Sequence, residues 1–399
     1  MRILIIDEEF PFPLNTGKRI RTFYLTRFLA GCHEVSYLAY DSPGRGAFES
    51  ALENRIKLYA VEPPFRGKSG IGFYLRLMAN LASPLPYIVT SHHSMEFKDK
   101  LREIVEGQGF DIIICEWTPY SIFLRDLDSV KKIIVAHNIE SDIWNRYRAE
   151  ERNPFKRWYI SVQGKKVERF ERECFHWVDG ATAVSSADAD RIRKFGVGYP
   201  VEVVENGVDV EYFDPGSNET EPNTLLFTGS MDWRPNQDAA VYFVDRILPL
   251  IRKGVPSIRV YLVGRNPPVR IRKLEKIRGV IVTGTVDDVR PYLRKAAVYI
   301  VPLRIGGGSR IKILEALSMK KAVVSTPVGA EGLGVTDGTD ILIGRDDSEF
   351  AESVLNCLGN NELCGRLGEN GRMLVEESYR WAELGGKYAR YLESVAGVV

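Results

Sequence analysis

The chain has 399 residues, 44% hydrophobic and 27% charged, with 54 Lys and Arg against 53 Asp and Glu. That is the length of two domains and the composition of a globular protein, and a net charge of +1 removes any global electrostatic case for nucleic acid or membrane binding. The five cysteines (32, 115, 174, 357 and 364) form no CxxC pair, no Cys/His cluster has zinc spacing, and neither a secretory leader nor a run of about 18 apolar residues is present, so the expectation is a cytoplasmic protein that binds no metal.

Short β-branched runs alternate with longer amphipathic stretches. RILIID (2–7), VSYLAY (35–40), IKLYAV (56–61), DIIICE (111–116), IIVAHN (133–138) and ATAVS (181–185) read as strands. A Gly-, Pro-, Asn- and Ser-rich region near 195–222, with a short strand VEVVE (201–205) inside it, reads as the domain boundary. A second series follows: TLLFTGS (224–230), IRVYLVG (258–264), VIVTGTV (280–286), VYIVPL (298–303), AVVSTP (322–327) and ILIG (341–344). The chain ends in helical patterns near 347–358, 361–376 and 379–395. Apolar strands separated by helices imply parallel sheets covered on both faces, hence an α/β fold of two doubly wound Rossmann-like domains. In such sheets ligands bind beyond the carboxyl ends of the strands, so a large ligand is expected in a cleft between the domains.

The stretch RIGGGSRIKILEAL (304–317) carries the chemistry. Gly306, Gly307 and Gly308 precede Ser309, an expected N-cap, and Arg310 and Lys312 then fall in the first turn of a helix. Cations there oppose the helix dipole, each forgoing roughly 0.3–1 kcal/mol. A capping box would place Glu or Gln where Lys312 stands. Successive glycines and a helix N-terminus together form an anion site, and a bound phosphate would resolve the misplaced charge. Neither G-x-G-x-x-G nor a Walker sequence is present, which argues against a dinucleotide dehydrogenase or a P-loop NTPase. Glu315, one turn after Lys312 on the same face, can accept hydrogen bonds from ribose hydroxyls.

These residues reach a resemblance. GGGSRIKILEALSMKKAVVSTPVGAEGL (306–333) resembles the donor-binding segment of family 4 glycosyltransferases, the retaining GT-B enzymes. VVENGVDVEYFDP (203–215), LLFTGSMDWRPNQDAA (225–240), VTGTVDDVRPYLRKAAVYIVPL (282–303), IIVAHNIE (133–140) and VDGATAVSSADADRI (178–192) resemble further segments of that family. The resemblance implies a GT-B fold, with an acceptor-side domain at 1–197, a donor domain at 198–376 and a terminal helix, 377–399, returning to the first domain. It implies retaining, metal-independent transfer of a hexose from a nucleotide diphosphate sugar, UDP- or GDP-linked, to a saccharide or lipid-linked saccharide, in surface polysaccharide or glycoconjugate assembly. No other cofactor is expected.

The resemblance also assigns roles. Gly229, Arg234 and Asn236 from the first donor-domain loop, with Gly306, Gly307, Gly308, Ser309, Arg310, Lys312 and Glu315, would bind the donor. Gly17, in FPLNTGKR (12–19), would approach the diphosphate from the other domain. Arg310 and Lys312 would stabilise the leaving group, and His137 would contact the donor sugar or support the developing positive charge. Asn138 and Glu140 would orient the acceptor. Two departures stand out. The first glutamate of the family's pair, eight positions before Glu315, is replaced by Gly307, and the usual Arg and Lys of the first loop are reduced to Arg234. Arg310 and Lys312 are expected to replace that lost charge.

Asp188-Ala-Asp190 is formally a DxD metal signature but sits at a helix start, where carboxylates suit the dipole. Asn218-Glu-Thr220 is formally a glycosylation sequon. Residues 146–173 carry nine Arg or Lys against five Glu, interleaved with Phe155, Trp158, Tyr159 and Phe170, and 65–81 is basic and aromatic without an acid. Both stretches suit peripheral contact with an anionic membrane on its inner face, although a solvated helix face over a core stripe has the same pattern. The competing functions are a GT-B-shaped nucleotide-sugar epimerase and a non-catalytic nucleotide-sugar binding protein.

Overall fold

A computed structural model describes residues 1–64, 67, 69–216, 220–305 and 310–398. The expected donor residues Gly306, Gly307, Gly308 and Ser309, and the sequon Asn218, lie outside the described residues. The chain divides into two compact units, Met1–Glu205 with Leu384–Val399, and Asn206–Glu383.

In the first unit, β1 (Arg2–Ile6), β2 (Glu34–Tyr40), β3 (Ile56–Val61), β4 (Ile112–Cys115), β5 (Lys131–Ala136), β6 (Gly180–Ala183) and β7 (Val201–Val203) form a sheet of order β3-β2-β1-β4-β5-β6-β7. Every pairing is parallel. Ile3, Leu4, Ile6, Ile112, Ile113, Ile114, Ile133 and Ile134 are wholly inaccessible, as expected of strands covered on both faces. In the second unit, β8 (Thr224–Thr228), β9 (Arg259–Val263), β10 (Val280–Gly284), β11 (Val298–Val301), β12 (Ala322–Ser325) and β13 (Leu342–Ile343) form a parallel sheet of order β10-β9-β8-β11-β12-β13. Both orders reverse direction beside their first strand, the crevice position where doubly wound sheets hold ligands.

Each strand read from the sequence is present, but most end short of the expected limit. Asp7, Glu116 and His137 are the first residues beyond β1, β4 and β5, so the polar side chains stand at the carboxyl edge instead of inside the ladder. The boundary expected at 197/198 falls too early, because Val201–Val203 pairs with Ala181–Ala183 as a seventh strand of the first sheet. The terminal segment joins the first unit from Leu384, not from residue 377. There Tyr391 Oη accepts from Ala181 N (3.0 Å) and donates to Pro200 O (2.7 Å).

The Asn-Gly-Val-Asp stretch opens the second unit. A Cβ on Gly207 would stand 2.8 Å from the Trp381 ring and from Tyr379 O, so no larger residue fits. Val208 N donates to the same Tyr379 carbonyl at 2.9 Å. Asp188 belongs to a helix cap, its N–H and carboxylate both bonded to Ser185 Oγ.

Candidate active site

The second unit gathers the expected donor residues around the end of β8. Gly229 follows Thr228 and donates its N–H to Val263 O at 2.9 Å. The helix Arg234–Tyr242 begins with Pro235 in its first turn and has no side-chain cap. Its polar side chains hold the preceding loop instead. Asn236 Nδ2 donates to Ser230 O (2.9 Å) and Gln237 Nε2 to Met231 O (2.7 Å). Arg234, at the start of the same helix, is exposed.

Lys312 comes from a distant part of the chain, in the first turn of the helix Ile311–Ser318. Ile313, Leu314 and Leu317 bury that helix against the sheet, which turns Lys312 toward the loop after β8. Its Nζ donates to Asn236 Oδ1 at 2.8 Å and lies 4.8 Å from the centroid of the Phe227 ring. A Cβ on Gly229 would be 2.7 Å from Asn236 Nδ2 and 2.8 Å from Lys312 Nζ, so the glycine makes room for both. Burial lowers Lys312 to about 7, helped by Arg310 and opposed by Glu315. Burial likewise raises the half-buried Glu315 to about 7 against the pull of Lys312. No hydrogen bond reaches the Glu315 carboxylate among the described residues.

Arg310 lies just outside the helical turn in which the sequence places it. It is the residue before the helix, not part of its first turn, and makes no side-chain cap. Its guanidinium, in a residue only 6% exposed, donates to Val328 O (2.7 Å) and Glu331 O (3.4 Å) and pairs with the Glu331 carboxylate at 3.5 Å. Arg310 therefore ties down the segment after β12, while Lys312 serves the loop after β8.

The first unit carries a second polar cluster, at the carboxyl edge of β1, β4 and β5. Gly17 opens the helix Gly17–Cys32, and Thr16 caps it by accepting from Arg19 N at 3.3 Å. Lys18 Nζ bonds Asp7 Oδ1 (2.6 Å) and Glu8 Oε1 (2.8 Å) and lies 5.4 Å from the Trp117 ring centroid. Burial lifts Asp7 to about 7 despite Lys18, while Lys18 holds Glu8 below the usual carboxylate range against its own burial. Tyr37 Oη donates to Asp7 Oδ2 at 2.9 Å. His137 Nε2 lies 3.0 Å from Glu116 Oε2, which also accepts from Thr22 Oγ1 at 2.8 Å. Burial pushes His137 below the usual histidine range, opposed by Glu116. Glu140 accepts from Trp117 Nε1 (2.9 Å), and Glu171 accepts from the backbone N–H groups of Glu140 and Ser141 at the start of the helix Glu140–Glu150.

Thus Gly229, Asn236, Lys312 and Glu315 come together in one unit, and His137 and Gly17 belong to the other. Sequence reading missed Asp7, Glu8, Lys18 and Glu116. Their signal was present: LIIDEE and IIICE each end an apolar run on carboxylates, and acids at a strand's carboxyl end face the ligand side of such a sheet. Among the described residues, no group of three or more His, Cys, Asp or Glu could hold a metal ion.

Comparison with known proteins agrees with this architecture. The model of Glycosyltransferase Family 4 matches residues 17–212, and that of Glycosyl transferases group 1 matches residues 222–360. The chain is 22% identical to an uncharacterised 44.6 kDa protein in the cps region of Klebsiella pneumoniae, over 95% of this chain and 96% of that protein. Its fold is similar to sucrose-phosphate synthase from Thermosynechococcus elongatus (TM-score 0.71, 15% identity, 100% of both chains). It is also similar to Anabaena HepE in complex with UDP and glucose (TM-score 0.68, 13% identity, 99% of this chain and 100% of the other). With two parallel-sheet units matched from residue 17 to residue 360, the chain is a group 1 glycosyltransferase of family 4 with the GT-B fold.

Proposed function

We propose that the protein transfers a hexose, with retention of anomeric configuration, from a UDP- or GDP-linked sugar to a saccharide or lipid-linked saccharide acceptor. The observation that carries this reading is the convergence of Lys312, Asn236 and Gly229 at the end of β8, one helical turn from Glu315. A half-buried ammonium and an unpaired carboxyl one turn apart suit a nucleoside diphosphate: Lys312 takes the diphosphate, Glu315 the ribose hydroxyls. The bond from the anomeric carbon to the β-phosphate oxygen breaks, and the acceptor oxygen bonds that carbon on the same face. The acceptor proton passes to the departing phosphate oxygen, so no separate base is required. Negative charge develops on the diphosphate, where a preorganised cation in a poorly hydrated site is most effective. Lys312 supplies that charge from the protein, with the positive helix end at Ile311, so the chemistry needs no metal. Arg310 supports the segment 328–331 and adds its field to Lys312. His137 contacts the donor sugar, Gly17 approaches the diphosphate, and Asn138 and Glu140 serve the acceptor. The UDP-bound HepE supports a nucleotide-sugar donor, and the cps-region relative supports a role in surface polysaccharide assembly.

Peripheral contact with an anionic membrane is part of this proposal. Among the described residues no helix is long and apolar enough to cross a membrane. The helix Ile71–Leu81 nevertheless exposes Ile71, Tyr74, Leu75 and Met78, spaced as one helical face, each more than 60% accessible. Phe155 and Trp158 are exposed among Arg152, Lys156 and Arg157 at the start of the helix Pro154–Cys174. Apolar and cationic side chains together are what an anionic lipid surface binds.

The test is the anomeric configuration of the product, read by NMR with UDP- and GDP-hexoses and a saccharide acceptor. Retention with one nucleotide series supports the proposal. Inversion, or turnover of neither series, overturns it.

A further inference from the structure

Glu116 is a buried carboxylate that the transfer scheme above does not use. It is 2% exposed, directly follows β4, and stands beside the end of β5 because those strands pair in register, Cys115 opposite Ile134. Its Oε2 meets His137 Nε2 at 3.0 Å and Thr22 Oγ1 at 2.8 Å. An ionised carboxylate only accepts hydrogen bonds, so the imidazole proton on this side must sit on Nε2. His137 Nδ1, which has no hydrogen bond among the described residues, is then the acceptor. Arg21 supplies the compensating charge. It is fully buried, donates through Nη1 to Glu205 O at 2.7 Å, and has no hydrogen-bond partner for Nε and Nη2 among the described residues.

We propose that Glu116 is the positioning residue for His137: it fixes the imidazole as the Nε2–H tautomer and leaves Nδ1 to accept a hydroxyl of the donor sugar. This rests on the reading that His137 contacts the donor. It follows from geometry, since two donors from different elements converge on one oxygen of a buried carboxylate. The electrostatics agree. Burial works to raise Glu116, yet His137, Thr22 and Arg21 hold it below the usual carboxylate range. Among the described residues, the other charged or titratable groups facing the pair are Lys18 on the helix Gly17–Cys32, Asp7 and Glu8 after β1, Tyr37 on β2, Cys115 on β4 and Tyr388 on the last helix. A neutral amide at 116 would withdraw the charge that favours protonation of His137 and would allow either tautomer, because an amide can donate as well as accept.

The test is nitrogen-15 NMR of the histidines in the full chain, with His137 assigned by its loss in His137→Ala, together with steady-state kinetics across pH. In the unaltered protein His137 is expected as the Nε2–H tautomer. In Glu116→Gln the tautomer should become mixed, and the midpoint of His137 and the acid limb of kcat should both move to lower pH. Misorientation of one contact should lower kcat by about tenfold to a hundredfold, with donor KM changed far less. Thr22→Val, which keeps the carboxylate, should give a smaller effect in the same direction. An unchanged tautomer and midpoint in Glu116→Gln would overturn the proposal. So would full kcat in Glu116→Gln when His137→Ala is inactive. If His137→Ala is itself fully active, the placement of His137 at the donor fails and takes this proposal with it.

Discussion

Replacing Lys312 with methionine keeps most of the unbranched side chain and removes the ammonium that reaches Gly229 and Asn236. In the ligand-free protein this lysine is held at about 7, against 10.5 for an ordinary lysine. Between those values the unfolded chain binds more protons than the folded one at this site. The contribution of Lys312 to stability therefore rises with pH through that window and is least favourable below pH 7. Lys312→Met should consequently leave the melting temperature at pH 7 unchanged or higher. Ligand binding behaves in the opposite sense. A diphosphate beside Nζ favours the ammonium, so binding at pH 8 takes up close to one proton per site. A hydrogen bond to a charged group is worth about 1.5–3 kcal/mol, which makes the loss of affinity in Lys312→Met roughly tenfold to a hundredfold. Charge grows on the leaving group, so kcat should fall further, by about 10²–10³. Calorimetric titration with UDP and with GDP at pH 8, in two buffers of different ionisation enthalpy, measures affinity and proton uptake together. Equal affinity in both proteins, with heats independent of the buffer, would refute the assignment of Lys312 to the diphosphate.

Glu315 carries the complementary pH signature. Its folded value of about 7 lies above the ordinary 4.5, so its favourable contribution is complete below pH 4.5 and lost as pH rises through 7. Glu315→Gln should match the parent protein in denaturant titration near pH 4 and exceed it in stability above pH 7, and an equal gap at both pH values would contradict this. Glu315→Ala should bind nucleotide weakly and turn over far more slowly with its circular dichroism unchanged, whereas full donor consumption would remove Glu315 from the site. Gly229→Ala drives a methyl group to within 2.8 Å of Asn236 and Lys312, so nucleotide affinity should fall although both side chains remain, and parental affinity by calorimetry would show that the loop yields. Leu75→Glu on the exposed helix face should weaken co-sedimentation with vesicles containing anionic lipid without altering turnover of a soluble acceptor, and absence of binding by the parent protein would end the membrane proposal.

Much of this fold was legible from hydrophobic pattern alone. Runs such as RILII and IIIC admit only fully covered strands, and the spacing of Ile313, Leu314 and Leu317 is helical with one buried face. Limits were harder to read. VEVVE reads as a short strand inside a Gly- and Pro-rich boundary, but its pattern does not say which sheet it joins; Val201–Val203 completes the first sheet, because strand pairing depends on an exposed edge that only the folded β6 presents. The site divides in the same way. Lys312 and Glu315 are neighbours on one helix, so their spacing reveals them. Glu116 and His137 are 21 residues apart and meet only because β4 lies beside β5, and Lys18 reaches Asp7 only because the helix Gly17–Cys32 begins beside the end of β1. Arg310 also makes contacts that its sequence pattern does not show. Its charge and position point to an anion, and the chain after β12 adds carbonyls that accept from its guanidinium.

The most direct test of a nucleoside diphosphate at Lys312 and Glu315 is a thermal-shift panel of UDP, GDP, ADP, CMP and NAD on the parent protein and on Glu315→Ala. At about 100 times its dissociation constant a ligand adds about 2.7 kcal/mol, a shift of several degrees for a domain of this size. The account predicts stabilisation by UDP or GDP, not by CMP or NAD, and its loss in Glu315→Ala. No shift with any nucleoside diphosphate, or the same shift in both proteins, would contradict it.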